Sequence, residues 1–365
     1  MQEKLTIQDV ARLAGVSKAT VSRVLNRNPS VSSTLSERVM RVVREHDFVP
    51  NVTATGLAGG RTRLVGVLAP PLTWPAVPEI LRGVAEYMED TSYEIVLYSI
   101  RFERNHSDVL DRILSLRMAA GLLAILPGEL SLHLIKRFHE GLPLVMIDDQ
   151  EKPDTVPWVG IDNVAGAYQA TRHLLDQGYR RIGHVLGPEN YYCAQERYLG
   201  YCQALTEAGY VPDPTLVFQG EFDPPSGRRC AEELLAHDRS TWPDALFVGN
   251  DQMAYGMLDV LEEHSIQVPD DLALVGFDDN LLSAHMRPPL TTIHQPFFEM
   301  GRKAIEMLLT MIDPDHKAEK GFKLHAVQAT TPVEELTAQP LRVQLPTSLV
   351  VRASSRVSRS LSTGS

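Results

Sequence analysis

Hydrophobic positions follow two rhythms along this chain. Up to about residue 45 they recur at three- and four-residue spacing: Ile7, Val10, Ala11 and Ala14; then Val21, Val24 and Leu25; then Leu35, Val39, Val42 and Val43. That spacing puts apolar side chains on one helix face, so three short helices are predicted. Gly15 closes the first, where a left-handed residue is cheap, and Ser17 stands at the N-cap of the second. Pro50 is expected to stop the third. From Leu64 the rhythm changes to short unbroken apolar runs, as in parallel strands covered on both faces. LVGVLAP, EIVLYSI, GLLAIL and PLVMID come first; RIGHVLG, LVFQG, ALFVGN and LALVGFDD follow. Amphipathic helical stretches separate them, among them VPEILRGVAEYMED, HSDVLDRILSLR, LSLHLIKRFHE, NVAGAYQATRHLLDQG and QMAYGMLDVLEEH. Repeated strand–helix units predict a doubly wound α/β core, and their number predicts two similar lobes. Residues 313–345 read as irregular, and the small polar tail 353–365 as disordered.

The second helix leaves Lys18, Ala19, Ser22, Arg23 and Asn26 facing outward. A helix-turn-helix reader needs this mixture: small residues for close approach, and charged or amide groups that reach phosphates and base edges. Charge is divided accordingly. Residues 1–63 hold ten Lys/Arg against five Asp/Glu, whereas the whole chain of 365 residues carries −11. A basic head on an acidic body confines DNA contact to the N-terminal end. The chain has no apolar run long enough to span a bilayer and begins MQEKLTIQDV, so a cytoplasmic protein with no membrane partner is expected. Cys193, Cys202 and Cys230 lack metal-ligand spacing and are expected to be reduced thiols. G-x-S-x-G, HExxH, P-loop and dinucleotide fingerprints do not occur; no metal, cofactor or enzyme activity is expected.

These residues, taken together, resemble the LacI/GalR family of bacterial transcription regulators over essentially the whole length. The carriers are TIQDVARLAGVSKATVSRVLN, VSSTLSERV, the Ala54-to-Leu57 segment, VGIDN, GYRRIGHVLGP, the Arg197-to-Tyr201 pattern, GNDQMAYG, VGFDD, PPLTTIHQP and LPTSLVVR. The resemblance implies a helix-turn-helix headpiece (1–49), a hinge helix or linker (50–62) and an effector-binding, dimerising core (63–352) like a periplasmic sugar-binding protein. The chain would cross between lobes more than once, with lobe one at about 63–161 plus 292–322 and lobe two at about 162–291 plus 323–352.

For DNA, the resemblance places Lys18, Ala19 and Arg23 at base edges. Arg23 suits a bidentate pair with guanine, Ala19 a thymine methyl or plain close approach, and Lys18 a guanine or a phosphate. Ser17, Thr20, Ser22 and Asn26 suit phosphate oxygens, and Ile7 packs near the backbone. A homodimer would bind near-palindromic double-stranded operator DNA. Leu57 matches a leucine that wedges into the minor groove, with Ala54 beside it; Thr55 replaces an arginine common in relatives.

For the effector, Asp278 and Arg197 match ligand-binding positions, and Asn250 and Asp148 end strands facing the crevice. Phe222 matches an aromatic that stacks on ligand. Trp74 lies in the loop after the first strand, as cleft lining, lid or dimer contact. Asp162 serves either the crossover or the effector, Asp279 caps or binds backbone rather than touching ligand, and Arg197 and Asp278 can pair in an empty cleft. Tyr191 stands where purine-responsive members carry an arginine. Aromatics with carboxylates and an arginine suit a mono- or oligosaccharide. The expectation is therefore a repressor whose operator affinity is changed by a carbohydrate. The alternatives are a corepressor-dependent regulator responding to a nucleobase or other metabolite, or a sugar-binding transport component. Induction and corepression are not distinguished.

Overall fold

The computed structural model describes residues 5–25, 31–46, 48, 62–99, 119–148, 155–313 and 342–356. The expected helix at 106–117, the hinge segment up to Arg61 and residues 314–341 lie outside them.

Three helices form the headpiece: α1 (Ile7–Ala14), α2 (Lys18–Leu25) and α3 (Ser33–Glu45). Thr6 and Asp9 cap α1 reciprocally. Asp9 N–H donates to Thr6 Oγ1 at 3.3 Å, and Thr6 N–H donates to Asp9 Oδ2 at 3.0 Å. Gly15 follows at φ 62°, the left-handed pose predicted for it. Ser17 Oγ then accepts from Thr20 N–H at 3.1 Å and starts α2. Val10, Val21 and Val39, one from each helix, are fully buried together. Arg38 of α3 donates to the Gly15 carbonyl at 3.2 Å and ties the turn to the third helix. α3 ends at Glu45, ahead of Pro50.

The core begins with β1 (Leu64–Ala69), α4 (Ala76–Met88), β2 (Glu94–Ser99), β3 (Gly121–Ile125), α5 (Ser131–His139), β4 (Leu144–Ile147) and β5 (Trp158–Ile161). It continues through α6 (Asn163–Asp176), β6 (Ile182–Leu186), α7 (Tyr192–Glu207), β7 (Val217–Gln219), α8 (Pro224–Ala236), β8 (Ala245–Val248), α9 (Asp251–Glu263), β9 (Ala273–Asp278) and β10 (Thr291–His294). α10 (Phe297–Ile312), β11 (Arg342–Leu345) and β12 (Ser348–Val350) follow. Two six-stranded sheets result, in the orders β11-β5-β4-β3-β1-β2 and β12-β10-β9-β8-β6-β7. All pairings are parallel except β10 with β12. Strand order reverses beside β1 in one sheet and beside β6 in the other, which places binding crevices at the carboxyl ends of those strands.

The chain passes between the sheets at Asp162, at Gln295–Pro296 and at Pro346–Thr347. Asp162 Oδ1 accepts from Ala165 N–H at 2.9 Å, so at the first passage this residue caps α6. After the second passage α10 returns to the first sheet and lies against α4. Contact there is very close. A Cβ on Gly83 would sit 2.0 Å from the Phe298 carbonyl oxygen, and one on Gly301 2.1 Å from that of Ile80.

Three expectations are corrected. Residues 342–345 are not irregular, nor do they join the second lobe: they form β11 beside β5. An edge strand buries one face, so RVQL shows only Leu345 fully inward and reads as polar. Thr292–His294 belong to the second sheet, not the first lobe, because β10 pairs with β9. β10 escapes notice because its buried residues include two threonines whose hydroxyls are bonded internally. Residues 353–356 are ordered, not a disordered tail. Ser354 and Ser355 are fully buried; Ser354 Oγ donates to the Leu274 carbonyl at 2.7 Å and accepts from Thr291 N–H at 2.8 Å. Among the described residues no helix is long and apolar enough to cross a membrane.

Candidate functional site

On α2, Val21 and Val24 point into the headpiece core, which turns the opposite face outward. Ser17, Lys18, Ala19 and Arg23 are exposed on it; Ile7, Thr20 and Ser22 are half-buried beside it. Ser17 and Thr20 hydroxyls lie 2.9 Å apart, so both are held at the start of α2. The two basic side chains therefore project from a helix whose start and turn are fixed. Asn26, Ala54 and Leu57 lie outside the described residues.

In the core, five predicted residues gather at strand ends of the second sheet. Arg197 rises from α7 and is almost fully buried. Its Nε donates to Asn163 Oδ1 at 3.0 Å and its Nη1 to the Gly249 carbonyl at 2.7 Å. The guanidinium lies 3.8 Å over the Phe277 ring and 3.8 Å from Asp278 Oδ1. The pairing expected of Arg197 with Asp278 thus takes the form of an ion pair rather than a direct hydrogen bond. Tyr191 meets Phe222 edge-on at 5.9 Å, and Phe222 lies 5.6 Å from Arg197. Asn250 is engaged elsewhere: its Oδ1 accepts from Met253 N–H at 3.0 Å, capping α9, and its Nδ2 donates to the Phe222 carbonyl at 3.1 Å. It positions Phe222 more directly than it faces the crevice.

Asp148 ends β4 of the other sheet, buried, with φ 48°. Burial pushes the Asp278 carboxyl above its ordinary range, and the Asp148 carboxylate adds to this. Arg197 and a 2.6 Å hydrogen bond from Gln295 Nε2 pull the other way. Six described non-glycine residues have positive φ, and five of them, Leu126, Asp148, Phe222, Asp278 and Asp279, lie just at or beyond strand carboxyl ends. Strained backbone gathers where a surrounding structure holds functional groups in place. Trp74 is half-buried after β1, packed at the edge of the first lobe's core.

Two residues of this region escaped the reading of the sequence. Gln295 sits at the second passage, immediately after β10, with its Oε1 buried and unpartnered beside Asp278. Its place at a strand carboxyl end was the available signal. Asp251 is fully buried at the start of α9. It accepts from Asn280 N–H at 2.9 Å, Ser283 Oγ at 2.6 Å and Thr292 Oγ1 at 2.6 Å. Burial and the nearby Asp278 raise its carboxyl, against those hydrogen bonds. Burial likewise pushes the Cys193 thiol up to about 12, and all three cysteines are free. Among the described residues no cluster of His, Cys, Asp or Glu could hold a metal ion. The crevice offers a rigid donor fork, acceptor carboxylates and aromatic faces, a set suited to binding a small polar molecule.

A preformed helix-turn-helix joined to such a two-sheet core defines a class: a DNA-binding regulator with a ligand-binding body. Residues 6–51 match bacterial regulatory proteins of the lacI family, and residues 171–355 match a periplasmic binding protein-like domain. The chain is 33% identical to the transcriptional repressor PurR of Aliivibrio salmonicida, over 88% of this chain and 96% of that protein. It is also 33% identical to the transcriptional regulator DegA of Bacillus subtilis, over 82% and 88%. Among solved structures, a lac repressor dimer bound to operator and the anti-inducer ONPF superposes with TM-score 0.78 at 25% identity, covering 97% of this chain and all of that one. The regulator CelR in complex with cellobiose gives 0.66 at 32% identity, covering 96% and 99%. The chain belongs to the LacI family of bacterial transcription regulators, and the fold is the one its sequence predicts.

Proposed function

We propose that this protein is a dimeric, cytoplasmic repressor that binds near-palindromic operator DNA and whose operator affinity is changed by a carbohydrate held between its lobes. The headpiece (1–49) reads DNA through Lys18, Ala19 and Arg23, and the segment 50–62, with Ala54 and Leu57, enters the minor groove between two half-sites. The effector is held by Asp278, Arg197 and Asp148 and covered by Phe222, Tyr191 and Trp74. One observation carries this reading: the buried Arg197 fork stands beside Asp278 at a strand end, next to an aromatic face. Vicinal hydroxyls match paired acceptors and a planar donor, while the apolar face of a sugar ring matches Phe222. The cellobiose complex of CelR is in keeping with that class. Ligand acts by binding the two lobe arrangements with different affinity, and that difference is the coupling to DNA.

A second reading, a nucleobase corepressor, draws on the likeness to PurR. Calorimetric titration of the purified protein with cellobiose and with free purine bases separates the two. The operator-binding assay is then repeated with each ligand and with Asp278→Asn. A sugar that binds, shifts operator affinity and loses its effect in Asp278→Asn is the expected result. Purine binding without sugar binding overturns the carbohydrate assignment. A normal dose response in Asp278→Asn removes that residue from the site.

A further inference from the structure

The second aspartate of VGFDD and the arginine ending LPTSLVVR lie 73 residues apart, and they meet. Arg352 Nη2 donates to Asp279 Oδ1 at 2.7 Å, and Nη1 donates to the Leu290 carbonyl at 2.8 Å. The other carboxylate oxygen of Asp279 lies 3.1 Å from His294 Nδ1, and Asp279 N–H donates to Thr292 Oγ1 at 3.3 Å. Asp279 is therefore held by the C-terminal segment and by the strand that leads into the second passage between lobes. It is not a simple helix cap.

The backbone explains why such anchoring is needed. Asp278 and Asp279 stand at φ 116° and 57°, two consecutive non-glycine residues in the left-handed region. Each such residue is strained and persists only where its surroundings over-determine it. From the interior, Asp251 holds Asn280 and Ser283. From the outside, Arg352 and His294 hold Asp279. Asp278, the last residue of β9, stands immediately before those anchors.

We propose that Arg352 is a positioning residue for the effector-binding turn: acting through Asp279, it keeps Asp278 in its left-handed pose and so sets effector affinity from outside the cleft. This rests on Asp278 being an effector ligand.

The electrostatics give the idea a signature. Burial opposes ionisation of Asp279, but hydrogen bonds from His294 and Arg352 outweigh it and hold the carboxyl below its ordinary range. His294 is raised by its bond to Asp279, against burial; Glu299 of α10 raises it further and Arg352 lowers it. A guanidinium is a permanent cation in proteins, whereas His294 loses its charge as pH rises through its raised pKa. With Arg352 present Asp279 keeps a charged partner when His294 becomes neutral, so the clamp weakens only slightly as pH increases. Without it, Asp279 keeps only His294, and the clamp weakens as pH increases.

The test uses the full-length protein and the variants Arg352→Ala, Arg352→Lys, Asp279→Asn and the double variant Arg352→Ala/Asp279→Asn. Amide exchange of peptides covering 277–283 is measured at pH 6 and pH 8, corrected for intrinsic rates, alongside calorimetric titration with cellobiose. Wild type is expected to show at most a small loss of protection from pH 6 to pH 8. Arg352→Ala should lose protection in 277–283, more at pH 8 than at pH 6, while peptides from α6 stay protected. Its cellobiose affinity should fall about tenfold at pH 8, as for loss of one charge-assisted hydrogen bond. Arg352→Lys should recover part of the loss. The double variant should be no worse than Asp279→Asn, since both changes remove one interaction. Wild-type protection in Arg352→Ala overturns the proposal. So does a loss that ignores pH and persists undiminished in the Asp279→Asn background, or equal cellobiose affinity in wild type and Arg352→Ala. If wild type takes up no cellobiose yet the exchange pattern follows, the clamp stands and the carbohydrate reading fails.

Discussion

Replacing Arg197 with methionine tests how the empty crevice is held together. Methionine keeps much of the aliphatic stem but loses the guanidinium that lies over Phe277, and it leaves the Asn163 amide oxygen and the Gly249 carbonyl without the donors they now have at 3.0 and 2.7 Å. It also leaves Asp278 buried without its guanidinium neighbour at 3.8 Å. Removing one partner of a buried charge pair costs about 3–5 kcal/mol. The 3.8 Å spacing is longer than a hydrogen bond, so the lower end, about 3 kcal/mol, is expected. Asp278→Asn removes the stranded charge, and the double variant should regain about 2 kcal/mol, the coupling of neighbours in one network. Urea denaturation followed by tryptophan fluorescence measures all four proteins. The sign with pH follows. A carboxyl raised in the folded state destabilises most above its folded pKa, and the penalty fades as pH falls from that value to the unfolded one, below which it is gone. The Arg197→Met deficit should therefore shrink at acid pH. A single variant within 1 kcal/mol of wild type, or a double as unstable as the single, refutes this account.

His184 is fully buried against Tyr201 and Phe247, its Nδ1 2.8 Å from the Phe247 carbonyl oxygen, and burial lowers its pKa to about 3. A histidine depressed on folding adds stability above pH 6.5 that is lost as pH falls toward 3. Between pH 7 and pH 5 wild type should lose about 2 kcal/mol more than His184→Phe; parallel losses would sink the assignment. Arg23→Ala should narrow the preference for operator over random DNA by about 1–3 kcal/mol without altering thermal unfolding of the core. Undiminished discrimination in a gel-shift competition would remove Arg23 from base reading.

What could be read in advance follows the range of the interactions. The headpiece was legible because its signals are local: a left-handed Gly15, an N-cap at Ser17, and a 3.6-residue apolar stripe. The strands β1, β3, β4, β6, β8 and β9 were legible because parallel strands buried on both faces are apolar throughout. β10 and β11 were not, since one is built on internally bonded threonines and the other shows one face at an edge. The tail failed for a related reason: Ser354 and Ser355 look like disorder in composition but bond buried backbone. In the crevice, strand-end position pointed to Asp148 and Asp278, and the family resemblance to Arg197. The supporting layer was invisible, because Asp251 to Thr292 and Asp279 to Arg352 are contacts across 41 and 73 residues.

The three passages between the sheets have a consequence for how the chain is made. A ribosome releases β1 to β5 first, but the helix α10 and edge strand β11 that complete that sheet follow the whole of the second lobe's β6 to β10. At roughly 5–20 residues per second, the wait between β5 and α10 is on the order of ten seconds. During it, the faces that α10 covers and the edge of β5 are open to solvent or to a chaperone. The second lobe waits as well, for β12 and the buried serines after it. Both halves therefore close only once residues 342–355 have been translated. A message truncated just before Arg342 would leave two unfinished lobes instead of one finished and one missing.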